Sequence, residues 1–391
     1  MAREIRIGGL GPLSAPGVAW AGVDLQNGMT LAVQHLNGAG GILGQPVTLL
    51  FEDTCGRTGA GIAAIEKLSE QVDALAGEYH SFVANAFLDR VQRSGVPFVC
   101  ASCTLDAITE RRVSCVFRLA PPQSYGWRIY ADFLAGEGFQ HVIALQEENQ
   151  YWNAGSRIIE LRLQELGVRF TRLSVPPGSA DPRRWIEQLE ALARKKSGPD
   201  ILLLLIGDAD PLRSMIEECR SHGFVPPKCF LGDPAGRAGF PEWWRTVRTK
   251  STQIPFLSYS RWDGLTPIGK RAVREFEKQV GRQPTFVALE GYDSVLSLGR
   301  AFVEAGSTDP ARACDALRGI RFEATRGTIR FSTEPAGVVH QQWKWPPVCV
   351  AVYHQVPRQF GEADILWDSQ LGAVSGATSL RIRCNTSSAG D

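Results

Sequence analysis

Short apolar segments alternate with longer amphipathic segments along most of the chain, and this alternation restricts the fold more than any other feature. Residues 5–10 and 47–52 have the composition of strands, and residues 24–36 between them carry apolar side chains at helical spacing. Strands that alternate with helices of about 10–15 residues form parallel sheets with helices packed on both faces. The sequence therefore predicts an α/β fold.

The alternation stops near residue 120 and then starts again. Residues 116–119 form an apolar segment that ends at Pro121 and Pro122, and a second series of strands and helices is predicted between residues 141 and 232. From residue 254 the predicted helices become longer and the strands fewer. A chain of 391 residues is long enough for two or three domains at roughly 150 residues each. Two α/β units are the expected organisation.

Charge and hydropathy exclude several classes of partner. The 42 Lys and Arg residues against 41 Asp and Glu residues give a net charge of +1, which argues against nucleic acid and anionic membranes as partners. The longest strongly apolar run, residues 201–206, is far shorter than the ~20 residues needed to cross a bilayer, so no direct membrane insertion is expected. Residues 1–4 lead straight into the predicted strand at residues 5–10 and lack the pattern of a secretory signal. The alternatives are a cytoplasmic protein and a mature form whose signal has been removed.

The motifs that would indicate catalysis or metal binding are missing or incomplete. Cys100 and Cys103 have the spacing of a redox pair, but they follow a predicted strand rather than begin a helix, and a zinc ion would lack a fourth ligand nearby. The glycine-rich turn at residues 8–14 lacks the Lys and Ser/Thr of a phosphate loop, and no Gly-x-Ser-x-Gly nucleophile motif occurs. Nine cysteines are too few for a disulfide scaffold, and their odd number leaves at least one that is unpaired or bonded to another molecule. We expect neither an enzyme nor a metal or cofactor site.

Polar and aromatic side chains cluster where the predicted strands end, which is the edge at which open α/β sheets bind ligands. These segments contain hydroxyls, aromatic rings and carboxylates but no lysine or arginine, and they comprise residues 14–20, 79–81, 102–104, 149–152, 208–210 and 233. Hydroxyls suit a carboxylate or amide oxygen, a carboxylate suits an ammonium group, and aromatic rings suit an apolar body. The set therefore favours capture of a small zwitterion or polar neutral molecule. The alternative is that several of these residues are ordinary helix caps, as Asp208 or Asp210 would be for the helix that follows them.

The chain resembles type I periplasmic-binding proteins of the leucine/isoleucine/valine-binding kind, the ABC-transporter substrate-binding protein family. The most specific part of the resemblance is NGAGGILGQPV followed closely by FEDTC. Further matching segments are VPFVCASCTLDAIT, VFRLAPPQSYGWRIYADFL, EENQYWNAGSRIIELRLQELG, GYDSVLSLGRAFVEAG and GTIRFS, so that the resemblance extends from about residue 5 to residue 356. It implies two Rossmann-like lobes with parallel sheets, joined by three crossover strands near residues 119–123, 254–260 and 332–338.

The resemblance also implies how the chain divides. The N-terminal lobe is expected to comprise residues 1–121 and 256–332, and the C-terminal lobe residues 122–255 and 333–368. Residues 369–391 are rich in Gly, Ser and Ala and are expected to form a tail without regular structure.

By position in the family's motifs, Trp20 matches the tryptophan beside the ligand side chain and Ser81 the serine that holds the ligand carboxylate. Residues 102–104 match the stretch that completes the carboxylate site, and Tyr151 matches a tyrosine of the second lobe. Asp208 stands at or within two positions of the place where the family has a further second-lobe tyrosine, and Asp233 stands near the place of the family's acid that accepts the ligand ammonium. The ligand-binding residues implied in this way, or by their place after a strand, are Trp20, Tyr79, His80, Ser81, Ser102, Cys103, Thr104, Tyr151, Asp208 and Asp233.

Two departures from the family pattern bear on the site. Where many members have Pro-Ala-Ala-Thr, this chain has Ala101-Ser102-Cys103-Thr104, which is expected to narrow and polarise that edge of the pocket. His80 occupies the place of the cysteine that would form a disulfide with Cys55.

The function implied by the resemblance is capture of an amino acid or similar small polar ligand between two lobes by hinge closure, for uptake by an ABC transporter. An ABC permease is then the partner, and the location is periplasmic or otherwise extracytoplasmic once a signal has been removed. The alternative is a cytoplasmic amide or amino-acid sensor of the same fold that regulates a partner protein. The missing signal pattern and the unpaired Cys55 favour this alternative.

Overall fold

In a computed structural model the chain divides into two compact units, each with its own sheet. The first unit comprises Met1–Gln123 and Tyr259–Pro347, and the second comprises Ser124–Ser258 and Val348–Asp391. The structure describes residues 4–175, 183–194, 201–207, 214–215, 217–218, 221–222, 228–232, 255–335, 337–353, 362–369 and 372–374.

The first unit is built on a five-stranded parallel sheet in the order β2-β1-β3-β4-β5. Its strands are β1 (Ile5–Gly11), β2 (Val47–Asp53), β3 (Ala74–Gly77), β4 (Phe98–Cys100) and β5 (Val116–Arg118), and the helices between them are α1 (Ala19–Gly38), α2 (Thr58–Ser69), α3 (Ser81–Ser94) and α4 (Ala107–Glu110). Every residue of β1 except Arg6 is buried, as expected for a strand covered on both faces. Because the strand order reverses direction between β1 and β3, a crevice is expected beside the loops that follow these two strands.

The chain then forms the parallel part of the second unit's sheet. Its helices are α5 (Gln123–Gly136), α6 (Gln150–Glu165) and α7 (Arg183–Arg194), and its strands are β6 (His141–Glu147), β7 (Arg169–Val175), β8 (Ile201–Gly207), β9 (Lys228–Gly232) and β10 (Phe256–Ser258). The near-continuous apolar sequence of β8 is typical of a central parallel strand.

On its return to the first unit the chain adds three helices and a hairpin, namely α8 (Pro267–Val280), α9 (Phe286–Ala305), α10 (Pro310–Gly319), β11 (Arg321–Glu323) and β12 (Thr328–Arg330). Helix α9 is buried along most of its length and packs on α1. The buried Asp24 carboxylate of α1 accepts hydrogen bonds from the Thr285 amide (3.0 Å) and hydroxyl (2.6 Å) at the start of α9. This contact holds the two helices in register.

Residues 333–347 belong to the first unit, whereas the sequence-based division assigned them to the second lobe. The Arg118 amide donates to the Gln341 carbonyl (3.1 Å), and the Trp343 amide donates to the Arg118 carbonyl (2.8 Å). The Gln341 side chain also donates to the Val116 carbonyl (2.6 Å). These hydrogen bonds attach the segment beside β5, so the third passage between the units follows Pro347.

The chain ends in the second unit with β13 (Cys349–Val352), β14 (Asp364–Asp368) and β15 (Gly372–Ala373), which complete a sheet in the order β15-β14-β13-β10-β9-β8-β6-β7. The segment predicted to be a tail without regular structure therefore begins with residues that pair with β14, and residues 375–391 lie outside the described part. Two α/β units connected at three points confirm the predicted fold class. Among the described residues, no helix is both long enough and apolar enough to span a membrane.

Candidate functional site

The candidate site of the first unit is formed by the loops that follow β1, β3 and β4, at residues 12–18, 78–80 and 101–104. The carboxyl ends of parallel strands meet at one edge of a sheet, and here they do so beside the point where the strand order reverses. Seven of the ten residues predicted to bind ligand lie in or directly after these loops.

Ser81 and Thr104 are brought together at the start of α3. The Ser81 side chain is buried, and its Oγ accepts hydrogen bonds from the amides of Thr104 (3.1 Å) and Leu105 (3.2 Å). Both bonds use the oxygen as an acceptor, so neither consumes the Ser81 O–H group. The site can therefore offer a hydroxyl proton to an anionic or carbonyl oxygen at the positive end of a 14-residue helix.

Aromatic side chains form a row along the loops that lead into α1 and α3. The Trp20 and Tyr79 rings are both half-buried and meet edge to face, with their centroids 5.8 Å apart. The Tyr79 ring contacts His80 at 5.4 Å, and His80 contacts Phe82 at 5.3 Å; the Phe82 side chain is 52% exposed. The row of rings gives this edge of the sheet an apolar surface suited to the body of a small ligand.

His80 connects two of the loops. Its Nε2 accepts the Val18 amide (3.1 Å), which leaves the ring proton on Nδ1 when the imidazole is neutral. Burial lowers the pKa of His80 to about 4, so the ring stays neutral near pH 7. At the position where the family pattern would place a disulfide partner for Cys55, this chain therefore has a hydrogen bond to the loop before α1. Cys55 is a free thiol that accepts a hydrogen bond from the Ser14 hydroxyl (3.2 Å).

Sequence reasoning missed Glu78, which shapes the loop after β3. Its backbone has a left-handed φ of 62°, and its Oε1 accepts the amides of Tyr79 (2.9 Å) and His80 (2.8 Å). The side chain is fully buried, and burial raises the pKa of Glu78 to about 7. The only sequence signal was an acidic residue directly after a buried strand.

The side chains of Ser102 and Cys103 do not join Ser81. The Ser102 hydroxyl donates to Glu290 Oε2 (2.5 Å), and the Cys103 thiol donates to the Glu78 carbonyl (3.4 Å). Both are buried, and burial raises the pKa of Cys103 well above its usual range, which makes it a poor nucleophile. The departure from Pro-Ala-Ala-Thr was expected to polarise the edge of the pocket, but the polar groups it introduces bond to interior partners instead.

The other three predicted site residues belong to the second unit. Tyr151 lies in the first turn of α6, half-buried, with its ring edge-on to Trp127 (6.4 Å) and Trp152 (4.9 Å). Asp208 and Asp233 lie outside the described residues. Across the described part of both units, no group of three or more His, Cys, Asp or Glu side chains is arranged to hold a metal ion.

The raised pKa of Glu78 predicts how stability depends on pH. Between about pH 4.5 and 7 the unfolded chain has lost this proton while the folded protein keeps it, so the free energy of unfolding falls as pH rises. Glu78→Gln removes this contribution. Between pH 5 and 8 we expect the free energy of unfolding to fall in both proteins, but by roughly 2 kcal/mol less in the variant than in the wild type. Urea unfolding at several pH values measures the two slopes, and equal slopes would show that Glu78 is ionised in the folded protein throughout.

Comparison with known proteins assigns the chain to a protein family. The family model described as periplasmic binding protein matches residues 4–344. The chain belongs to this periplasmic binding protein family and is of the leucine/isoleucine/valine-binding kind.

Relatives and solved structures agree with this assignment. An amino acid binding protein of Pseudomonas aeruginosa is 24% identical over 323 residues, which is 81% of this chain and 82% of that protein. The branched-chain amino acid transporter substrate binding protein LivJ of Streptococcus pneumoniae, in complex with isoleucine, superposes with a TM-score of 0.73 at 19% identity and covers 93% of this chain and 98% of its own. An ABC transporter solute binding protein of R. palustris, in complex with benzoate, has a TM-score of 0.73 at 18% identity, covering 95% and 98%. These two structural likenesses establish the fold.

Proposed function

We propose that the protein binds a small molecule that carries a carboxylate, an amino acid or a related compound, for uptake by an ABC transporter. The observation that carries this proposal is the pairing of Ser81 with Thr104 at the start of α3. A hydroxyl proton and the partial positive charge of a helix N-terminus both favour a negative oxygen.

The surroundings of Ser81 support a ligand with an apolar body. Trp20 and Tyr79 would lie against that body, and the three loops contain no lysine or arginine that could bind the carboxylate as a fixed ion pair. Two proteins of the same fold were solved with isoleucine and with benzoate. Both compounds combine a carboxylate with an apolar body, which supports the same ligand class here.

Uptake requires that the ligand change the conformation that a transporter recognises. In the proposed mechanism Tyr151, Asp208 and Asp233 of the second unit complete the contacts by hinge closure. A ligand shifts an open–closed equilibrium only by its difference in affinity for the two states. The proposed partner is an ABC permease, and the proposed location is extracytoplasmic.

A cytoplasmic amide or amino-acid sensor of the same fold is the second candidate. The observation that favours it is the state of the cysteines: free thiols in the described part of the chain include Cys55, Cys100, Cys103, Cys115, Cys314 and Cys349. Free thiols are typical of a reducing compartment. A ligand screen separates uptake from an amide sensor, because binding of zwitterions favours uptake whereas binding of neutral amides alone favours the sensor.

We expect a thermal-shift screen against amino acids, amides, urea and aromatic acids to identify a carboxylate ligand. A ligand at 100 times its Kd stabilises the folded state by about 2.7 kcal/mol. Ser81→Ala should then weaken that ligand by roughly tenfold to a hundredfold in calorimetry, because a hydrogen bond to a charged group is lost.

The control for this prediction is Ser94→Ala at the opposite end of α3, where the hydroxyl donates to the Val91 carbonyl (3.0 Å) and accepts the Val96 amide (3.3 Å). This variant should bind as tightly as the wild type. Undiminished affinity in Ser81→Ala would refute the site assignment, and a screen in which only neutral amides bind would refute the ligand class.

A further inference from the structure

The Ser102 hydroxyl is one end of a chain of buried polar groups beneath the candidate site. It donates to Glu290 Oε2 (2.5 Å), and Glu290 Oε1 accepts from Arg326 Nη1 (3.1 Å). The same Arg326 nitrogen donates to the Tyr259 carbonyl (3.3 Å). The Glu290 and Arg326 side chains are at most 1% exposed. A loop of the site is thereby anchored to α9 and to the turn of the β11–β12 hairpin.

The charges near Glu290 come from several elements. On α9 itself, the buried Asp293 carboxylate lies 3.5 Å from Arg326 Nε and accepts the Thr325 amide and hydroxyl. The Arg326 guanidinium also covers the Trp343 ring at 5.0 Å. One buried guanidinium thus serves two buried carboxylates, and burial raises the pKa of Glu290 to about 7.

Two further carboxylates lie on elements next to this series of buried polar groups. Asp24 on α1 is bonded to Thr285 at the start of α9 and to Arg282 in the loop before it. Glu78 after β3 contacts the Ser102 loop through its backbone, because its carbonyl accepts the Ser102 amide (3.2 Å). Since burial raises the pKa of Glu78 to about 7 as well, any experiment on pH must separate Glu78 from Glu290.

An ionised carboxylate accepts a shorter and stronger hydrogen bond than a neutral one. The relevant opening releases only the Ser102 hydroxyl and leaves Glu290 buried beside Arg326. Because the Ser102 hydrogen bond lowers the pKa of Glu290, this pKa is higher once the bond is broken, and ionisation of Glu290 therefore favours the bonded loop. Ser102 is two residues from Thr104, whose amide donates to Ser81 Oγ (3.1 Å), so movement of the Ser102 anchor is transmitted to the Ser81–Thr104 pair.

We propose that Glu290 is a positioning residue of the site, whose ionised carboxylate holds the 101–104 loop through the Ser102 hydroxyl and keeps the Thr104 amide on Ser81. The order of this loop then increases as pH rises from about 6 to 8. The consequence for ligand affinity rests on the function proposed above, whereas the effect on the loop does not.

Hydrogen exchange of the ligand-free protein, read at the Ser102 and Thr104 amides and divided by the intrinsic rate at each pH, tests the proposal. We expect protection of both amides to increase about fivefold between pH 6 and 8 in the wild type. Glu290→Gln and Ser102→Ala should each abolish this increase, and the double variant should add nothing further, because both substitutions break the same contact.

Glu304→Gln is the matched control, since Glu304 lies on the same helix and its side chain is 61% exposed. It should keep the wild-type increase. Protection that is independent of pH in the wild type, or an increase that persists in Glu290→Gln, overturns the proposal. An increase that disappears in Glu78→Gln but persists in Glu290→Gln assigns the effect to Glu78 and also overturns it. If Glu290→Gln does not fold, Ser102→Ala against the wild type decides.

Calorimetry with L-leucine and with benzoate at pH 6 and 8 adds the link to binding. We expect the wild-type affinity for a bound probe to be a few-fold higher at pH 8, with the increase lost in Ser102→Ala. If Ser81→Ala weakens binding but hydrogen exchange shows no dependence of loop order on pH, only the role of Glu290 is refuted. If loop order depends on pH as expected but Ser81→Ala binds as tightly as the wild type, only the proposed function is refuted.

Discussion

Arg118→Met should destabilise the first unit by about 3 kcal/mol or more, although methionine fills most of the volume that arginine leaves. The Arg118 side chain is fully buried at the end of β5. Its guanidinium donates to Gln342 Oε1 (2.5 Å), the Leu105 carbonyl (2.6 Å) and the Thr109 hydroxyl (2.9 Å). The substitution leaves these buried acceptors without their donor, and each of them then bears the cost of desolvation.

The neighbours of Arg118 explain why so large an effect is expected of one residue. The guanidinium bonds to residues 105–109 on one side and to residues 338–342 on the other, so a single side chain ties β5 to a neighbouring loop and to a segment more than 200 residues away. Burial lowers the pKa of Arg118 only to about 10, so the group is charged at pH 7 and donates charge-assisted hydrogen bonds.

Arg271→Met is the matched control for this prediction. It removes the same charge, but the Arg271 side chain is 63% exposed and pairs with Glu275 one helical turn away, so its effect should stay within about 0.5 kcal/mol. Urea unfolding of the full chain, followed by circular dichroism, measures both variants. Equal midpoints for the two variants would mean that the acceptors around Arg118 find other donors.

The alternation of strands and helices was sufficient to predict the α/β fold and two units, because each strand and helix carries its own hydrophobic period. The assignment of residues 333–347 could not be made in this way. These residues form little regular structure, and they join the first unit through contacts such as that of Gln342 with Arg118, 224 residues apart. No local sequence pattern around Arg118 or Gln342 predicts that these two side chains will bond.

The candidate site was predictable to a similar extent. The positions of Trp20, Tyr79 and Ser81 follow from the rule that ligands bind where parallel strands end, and the structure brings the Trp20 and Tyr79 rings into contact. Ser102 and Cys103 also follow a strand, but the direction of a side chain in a loop is not set by the alternation of a strand. It depends on partners such as Glu290, which lies 188 residues from Ser102.

Gly28→Ala should destabilise the protein by about 3 kcal/mol, because α1 and α9 approach too closely at this point for a side chain. A methyl group on Gly28 would lie 2.0 Å from the Ala288 carbonyl oxygen and 2.8 Å from its carbon. The contact is with backbone, so no rotamer change relieves it. To accept the methyl group, α9 must move away from α1, and the Asp24–Thr285 hydrogen bonds at its start must lengthen.

Gly59→Ala separates this packing effect from the helix propensity that both substitutions share. Gly59 lies in α2, and a methyl group there meets nothing within 4 Å. Alanine should therefore stabilise the helix by about 0.5 kcal/mol. Thermal unfolding should thus show opposite shifts, a lower Tm for Gly28→Ala and an equal or higher Tm for Gly59→Ala. A Gly28→Ala variant as stable as the wild type would mean that α1 and α9 can separate at little cost, in which case Asp24 and Thr285, rather than close backbone packing, hold the two helices together.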